Sequence, residues 1–211
     1  AAALSDGQWI AGFAAYELGY ALEPRLAPLM PPERRGPLLQ FGVFDGPRTG
    51  RLATPAGRLT PPRPVWSEAE HGAAVDRVLN YIRAGDCYQV NLTFPLSARW
   101  EGTPAGLHAA LALRQPVGHG ALVDLGGPVI LSRSPELFFA TRTGGRIEVR
   151  PMKGTAPRDP DPTADAALRA GLAASAKDRA ENLMIVDLMR NDLSRICAPG
   201  SIRVPELFAV E

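Results

Sequence analysis

The stretch Arg150-Pro-Met-Lys-Gly-Thr-Ala-Pro-Arg158 follows a strand-like run, Arg146-Ile-Glu-Val-Arg150, and ends before an Asp/Pro-rich linker. Two prolines bracket a lysine that stands immediately before Gly-Thr. Proline fixes φ and lacks an N–H, so neither a ladder nor a helix runs through this segment. Gly154 lets the backbone approach a ligand closely, and the Thr155 amide is placed to donate to a carboxylate. A lysine on such a loop becomes a nucleophile when it loses its proton. Taken alone, these nine residues read equally simply as a loop lysine beside a turn glycine.

Upstream, Arg146-Ile-Glu-Val-Arg150 reads as a strand. So do the apolar runs Ala121 to Leu125, Val129 to Leu131 and Leu137 to Ala140, with Gly126-Gly127 as a tight hairpin turn between the first two. Thr103-Pro104 opens a helix with proline at its first position, running toward Gln115. Cys87-Tyr-Gln-Val-Asn-Leu-Thr-Phe-Pro-Leu96 alternates, with Tyr88, Val90, Leu92, Phe94 and Leu96 on one face and Gln89, Asn91 and Thr93 on the other, and Pro95 pushes that end toward a sheet edge or bulge. Before it, Ser67-Glu-Ala-Glu70 is a capping box for a helix carrying Val75, Val78, Leu79 and Ile82 and stopping at Gly85. Prolines crowd the region from Glu23 to Pro64, broken by Leu38 to Phe44, which reads as a buried strand. Gln8 to Gly19 reads as a strand passing into a helix or turn.

Downstream, Asp159-Pro-Asp-Pro162 is a linker, and Thr163 is a candidate cap for the alanine-rich helix to Ala174. Lys177 to Ile196 is the strongest helical segment, and its apolar residues occupy nearly the whole circumference, which predicts burial. Asp178 and Glu181 stand three apart and so share a face. Arg179, Arg190 and Arg195 are candidate ion partners for the acids of this helix, and for Asp187 and Asp192 pairing is the preferred reading. For Glu181 the alternative is a hard divalent cation, which takes carboxylate oxygens. Gly200 to Val204 reads as a final strand, and an apolar edge around Leu207, Phe208 and Val210 follows it.

Composition narrows the class. With 211 residues, 45% hydrophobic and 21% charged, the chain reads as a globular protein. Lys and Arg number 23 against 22 Asp and Glu with no basic block, which argues against a nucleic-acid partner. The apolar run Trp9 to Tyr16 is too short to span a bilayer. Two cysteines, Cys87 and Cys197, fit a reducing, cytoplasmic compartment. His71, His108 and His119 lack metal-ligand spacing. Both ends of the chain read as cut, at Ala1 and at Glu211.

Four motifs occur in order: Gly85-Asp-Cys-Tyr-Gln-Val-Asn-Leu92, Ser132-Arg-Ser-Pro-Glu136, Pro151-Met-Lys-Gly-Thr155, and the run from Asp178-Arg-Ala-Glu-Asn182 to Arg190-Asn-Asp192. Together they resemble the chorismate-utilising enzymes, and within them the branch that aminates chorismate toward para-aminobenzoate and folate. The early Ala14-Ala-Tyr-Glu-Leu-Gly-Tyr-Ala-Leu-Glu-Pro24 is similar to that branch as well. The resemblance implies an α+β fold, with two mostly antiparallel sheets packed as a sandwich and helices outside. It implies a partial chorismate-binding domain over residues 1–211, divided into an N-terminal part, 1–64, with its Pro-rich loop, and the first portion of the catalytic region, 65–211.

The implied reaction converts chorismate to 4-amino-4-deoxychorismate with ammonia from a glutaminase partner, in the presence of Mg²⁺. Lys153 resembles the lysine that attacks the ring and is displaced by ammonia. Glu136 resembles the general acid for the departing hydroxyl, and such an acid works best with its pKa near the operating pH. Gly154 and Thr155 resemble the substrate cradle, and Glu181, with Asp178 beside it, the metal site. Gln89 stands where water-using relatives carry a basic lysine, and a neutral amide is no base. Lys153 stands where ortho-aminating relatives carry alanine, so the resemblance favours para amination over the anthranilate-forming alternative. A non-catalytic fragment is the further alternative. Ala156 replaces a larger residue of many relatives, and Gly118-His-Gly120 replaces the Pro-aromatic stretch that lines a tryptophan pocket in some of them.

Overall fold

A computed structural model describes residues 7–210 and divides the chain into two units, residues 1–116 with 120–133, and residues 117–119 with 134–211. In the first unit β1 (Trp9–Ala14) pairs antiparallel with β2 (Leu39–Phe44), in register from Trp9 opposite Phe44 to Ala14 opposite Leu39. The short helix α1 (Leu18–Leu22) and a 3-10 turn at Ala27–Leu29 lie between them. The Pro-rich region supplies two minimal strands, β3 (Arg58–Leu59) and β4 (Arg63–Pro64). They pair antiparallel with β6 (Trp100–Glu101) and β5 (Leu96–Ser97) respectively.

Helix α2 (Glu68–Ala84) forms as its capping box requires. The Glu70 amide donates to Ser67 Oγ at 3.2 Å, and the Ser67 amide donates to Glu70 Oε2 at 2.7 Å. The Ser67 amide, joined by Ser67 Oγ donating to Glu70 Oε2 at 2.8 Å, holds the Glu70 carboxyl below its ordinary range. Gly85 ends the helix at φ 81°, a left-handed conformation that glycine adopts freely. Helix α3 (Pro104–Arg114) starts at Thr103, whose Oγ1 accepts from the Gly106 amide at 3.1 Å. Its Gly106, His108 and Ala109 are the buried residues among those described. Strands β7 (His119–Val123) and β8 (Ile130–Ser134) pair with each other, and Gln40 Nε2 donates to the Leu125 carbonyl in their connection at 2.9 Å.

In the second unit β9 (Leu137–Arg142) and β10 (Arg146–Arg150) form an antiparallel hairpin with a register shift between Glu148 and Arg150. Helix α4 (Pro162–Ala174) leads into α5 (Ala176–Ser194), which Ser175 caps by accepting from the Asp178 amide at 3.3 Å. Helices and small antiparallel ladders make this an α+β chain. No helix among the described residues is long and apolar enough to cross a membrane.

Several expectations change. The alternating segment 87–95 forms no ladder, and Tyr88 is 70% exposed. Alternation selects an apolar face but supplies no strand partner: pairing begins only at the segment's end, where the Val65 amide donates to the Pro95 carbonyl at 3.0 Å and Leu96 opens β5 opposite β4. Gly200 to Val204 likewise runs as turn and coil rather than strand. The β7–β8 connection spans residues 124–129, longer than a tight hairpin, with Gly126 at φ 80°. Asp161, not Thr163, caps α4: its Oδ1 accepts from the amides of Thr163 and Ala164 at 2.8 and 2.9 Å, and Pro162 takes the first helical position. Strand β2 forms, but Leu39, Phe41, Val43 and Phe44 are exposed. Helix α5 has no buried residue, although its apolar circumference predicts burial, because too few described elements surround it to cover Leu183 and Leu188. Asp187 pairs with Arg190 at 3.2 Å as expected, whereas Asp192 has no ion pair among the described residues. Cys87 and Cys197 are free thiols.

Candidate active site

The loop after β10 is held at both ends within the second unit. At its start the Met152 amide donates to Glu136 Oε1 at 3.1 Å. Glu136 is itself fixed by a turn in which its amide donates to Ser134 Oγ at 3.2 Å and Ser134 Oγ donates to its carbonyl at 3.0 Å. One carboxylate of the expected site is therefore bonded to the residue before Lys153. At the loop's far end Arg158 grips Asp165 through two bonds of 2.7 and 2.8 Å, and the Asp159 amide adds a third at 3.1 Å. The Arg158 hydrogen bonds, helped by the Asp159 amide, hold the Asp165 carboxyl below its ordinary range. On β10 the Arg150 guanidinium does the same to Glu148 across 2.7 Å.

The centre of the loop lies against α5. Gly154 adopts φ 81°, and a Cβ placed there would stand 3.0 Å from Cβ, Cγ and Oδ1 of Asp178. Both conditions disfavour a side chain, since an L residue at that φ is strained and Asp178 would have to give way. Lys153, Gly154 and Asp178 line a cleft of about 830 Å³ bounded by β10, the loop, α5 and residues 201–210. Six basic and three acidic side chains line it, so the cleft favours an anionic occupant. Arg179 crosses over the Phe208 ring at 4.1 Å, a cation–π contact that orders both. Thr155 lines a neighbouring hollow, which it shares with Asp178.

The expected residues are thus brought together unequally. Glu136, Lys153, Gly154 and Asp178 are linked by bonds or by a common cleft. Glu181 lines neither hollow and pairs with Lys177 at 3.7 Å, one turn back on the same helix. Gln89 belongs to the other unit and is exposed. Among the described residues no group of three or more acidic, histidine or cysteine side chains stands ready for a metal. Asp178 and Glu181 carry carboxylates, the hard oxygen donors that Mg²⁺ takes, but only Asp178 lines the cleft.

Two residues of the cleft escape the sequence reading as site members. Arg179 is one, and its role depends on Phe208, far along the chain. Asn182 is the other: it lines the cleft, and its Oδ1 is buried without a partner among the described residues. Its position one turn after Asp178, within the motif Asp178-Arg-Ala-Glu-Asn182, is a sequence signal for it.

Residues 51–211 match the family described as chorismate binding enzyme. The chain is 47% identical to aminodeoxychorismate synthase component 1 of Klebsiella aerogenes over 149 residues, 71% of this chain and 33% of that protein. It is 48% identical to the Escherichia coli K12 protein of the same name over 144 residues, 67% of this chain and 31% of the other. It is 39% identical to anthranilate synthase component 1 of Streptomyces coelicolor over 174 residues, 80% of this chain and 33% of that protein. The chain spans about a third of the length of these curated relatives. With the family match running through the lysine loop and α5, the chain belongs to the chorismate-binding enzymes.

Proposed function

We propose that the protein aminates chorismate to 4-amino-4-deoxychorismate, using ammonia delivered by a glutaminase partner, on the cytoplasmic route to para-aminobenzoate and folate. The observation that carries this reading is Lys153 itself, held on a loop that bonds Glu136 on one side and abuts Asp178 on the other. A cation-lined cleft suits a substrate with two carboxylates. The greater identity to relatives named aminodeoxychorismate synthase than to one named anthranilate synthase supports para over ortho amination. In this reading the small antiparallel ladders belong to two sheets packed as a sandwich with outer helices.

The chain's own residues divide the work. Lys153 Nζ, as the free amine, forms a bond to the ring while the C4–O bond breaks. Glu136 gives its proton to the leaving oxygen, which departs as water. Ammonia then bonds to C4, the electrons return through the ring system, and the lysine amine is expelled. The new ammonium returns a proton to the Glu136 carboxylate, which closes the cycle. Gly154 and Thr155 present backbone to the substrate, and Gln89 binds it without acting as a base. Asp178 and Glu181 would hold Mg²⁺, which supplies charge neutralisation at the ring carboxylate when bound.

The test is a trapped adduct. Protein given chorismate and Mg²⁺ without ammonia should carry chorismate less water on the peptide containing Lys153, read by mass spectrometry. An unmodified peptide, together with retained amination by Lys153→Ala, removes the nucleophile and the reading that rests on it.

A further inference from the structure

The middle of the lysine loop and the helix beneath it carry unmatched hydrogen-bonding groups. Glu136 takes the Met152 amide, yet no bond within the described residues is recorded for the amides of Lys153, Gly154 and Thr155. On α5, Asp178 sits against Gly154, and Asn182 follows one turn later, lining the same cleft with a buried and unpartnered Oδ1. A buried acceptor left unpaired is costly and rare, so it calls for a donor. Lys153 and Gly154 of the lysine loop line that same cleft, and Gly154 already abuts Asp178 one turn before Asn182.

We infer that Asn182 is a positioning residue: its side-chain carbonyl accepts from a backbone N–H of the Lys153–Thr155 turn and locks the loop when substrate fills the cleft. The amide touches no reacting atom. It acts through the loop, fixing where Lys153 Nζ stands relative to the ring, and small misplacements of a nucleophile cost rate steeply. The kinetic arm rests on the amination proposed above, whereas the loop-locking arm is read without turnover.

Hydrogen exchange on the intact protein, with and without chorismate and Mg²⁺, separates the two. Wild type should gain about tenfold protection at residues 153–155 on adding chorismate, the size of one net hydrogen bond. Asn182→Leu, which replaces the amide by an apolar group of similar shape, should still bind chorismate but gain no such protection. Its kcat should fall about tenfold with KM little changed. Asn182→Asp keeps the acceptor and should protect like wild type. Equal protection in wild type and Asn182→Leu, or lost protection in Asn182→Asp, overturns the inference while leaving the proposed reaction standing. Absence of chorismate binding to wild type overturns the proposed reaction, and this inference with it.

Discussion

The Lys153 loop and the Gln89 segment were equally prominent as motifs, and the fold treats them differently. The loop is tied to Glu136 at one end and to Asp165 at the other, with its glycine pressed on Asp178. The segment around Gln89 leaves a well-capped helix at Gly85 and then runs without a ladder, its Tyr88 and Val90 exposed. Both contain residues that bend or extend the chain as their sequence demands. The difference is that the loop's bonds are made to residues of its own unit, whereas residues 87–95 form no ladder among the described residues. A motif with bonded partners acquires geometry, and one without them keeps only its pattern.

The sharpest way to break this comparison is to remove one functional side chain from each stretch. Lys153→Ala should reduce amination by about 10³-fold, the scale of a lost nucleophile or proton-transfer group. Gln89→Ala should reduce it by about tenfold or less, as a lost neutral hydrogen bond does. Steady-state kinetics with chorismate and ammonia give both numbers. Comparable losses would mean that the anchored loop holds no greater share of the chemistry than the open segment.

Gly154→Ala tests the anchoring itself. The new methyl meets Asp178 at 3.0 Å and a left-handed φ costs an L residue about 1–2 kcal/mol, so the loop has to shift. A fall in kcat/KM of about 10- to 100-fold is expected, with Lys153 chemically intact. Wild-type kinetics in this variant would show that the loop's contact with α5 is incidental.

What the sequence discloses follows the range over which each feature is decided. The α2 capping box and its Gly85 stop, or Thr103-Pro104 at α3, are settled within three or four residues, and all are found as read. Asp161 displaces Thr163 as the cap of α4 because Pro162 occupies the first helical position, a contest between adjacent candidates that composition leaves open. The Gly154–Asp178 approach and the Glu136–Met152 bond join residues distant along the chain, and motifs lying in order say nothing of such contacts. Asn182 is the extreme case, since an unpartnered buried oxygen is a property of packing alone. The strand pattern at 87–95 fails in the opposite way: the face is legible and the ladder is not.

A smaller effect tests how much of the first unit's order is local. Ser67→Ala removes the acceptor for the Glu70 amide at the start of α2 and should cost about 1 kcal/mol in denaturant unfolding. Ser67→Asp restores an acceptor and should recover most of that loss. An unchanged unfolding midpoint in Ser67→Ala would mean that packing, rather than the cap, holds this end of the helix.

The smallest effect concerns the clasp at the far end of the lysine loop. Asp165 accepts two bonds from Arg158 and one from the Asp159 amide, and its carboxyl is depressed in the folded chain. A depressed carboxyl contributes stability that is present above its unfolded value, about 3.9, and is lost as pH falls through the lower folded value. Arg158 stays charged throughout, so Asp165 alone sets the window. Asp165→Asn keeps the shape and removes the charge at every pH. Wild type should therefore protect residues 155–161 from proteolysis better than Asp165→Asn at neutral pH, and the two should converge as pH drops below the depressed value. Arg158 is 86% exposed, so high salt should also narrow the gap at neutral pH. A gap that persists in strong acid would assign the clasp to the geometry of the loop and not to its charge, and the tied end of the loop would no longer differ in kind from the open segment at Gln89.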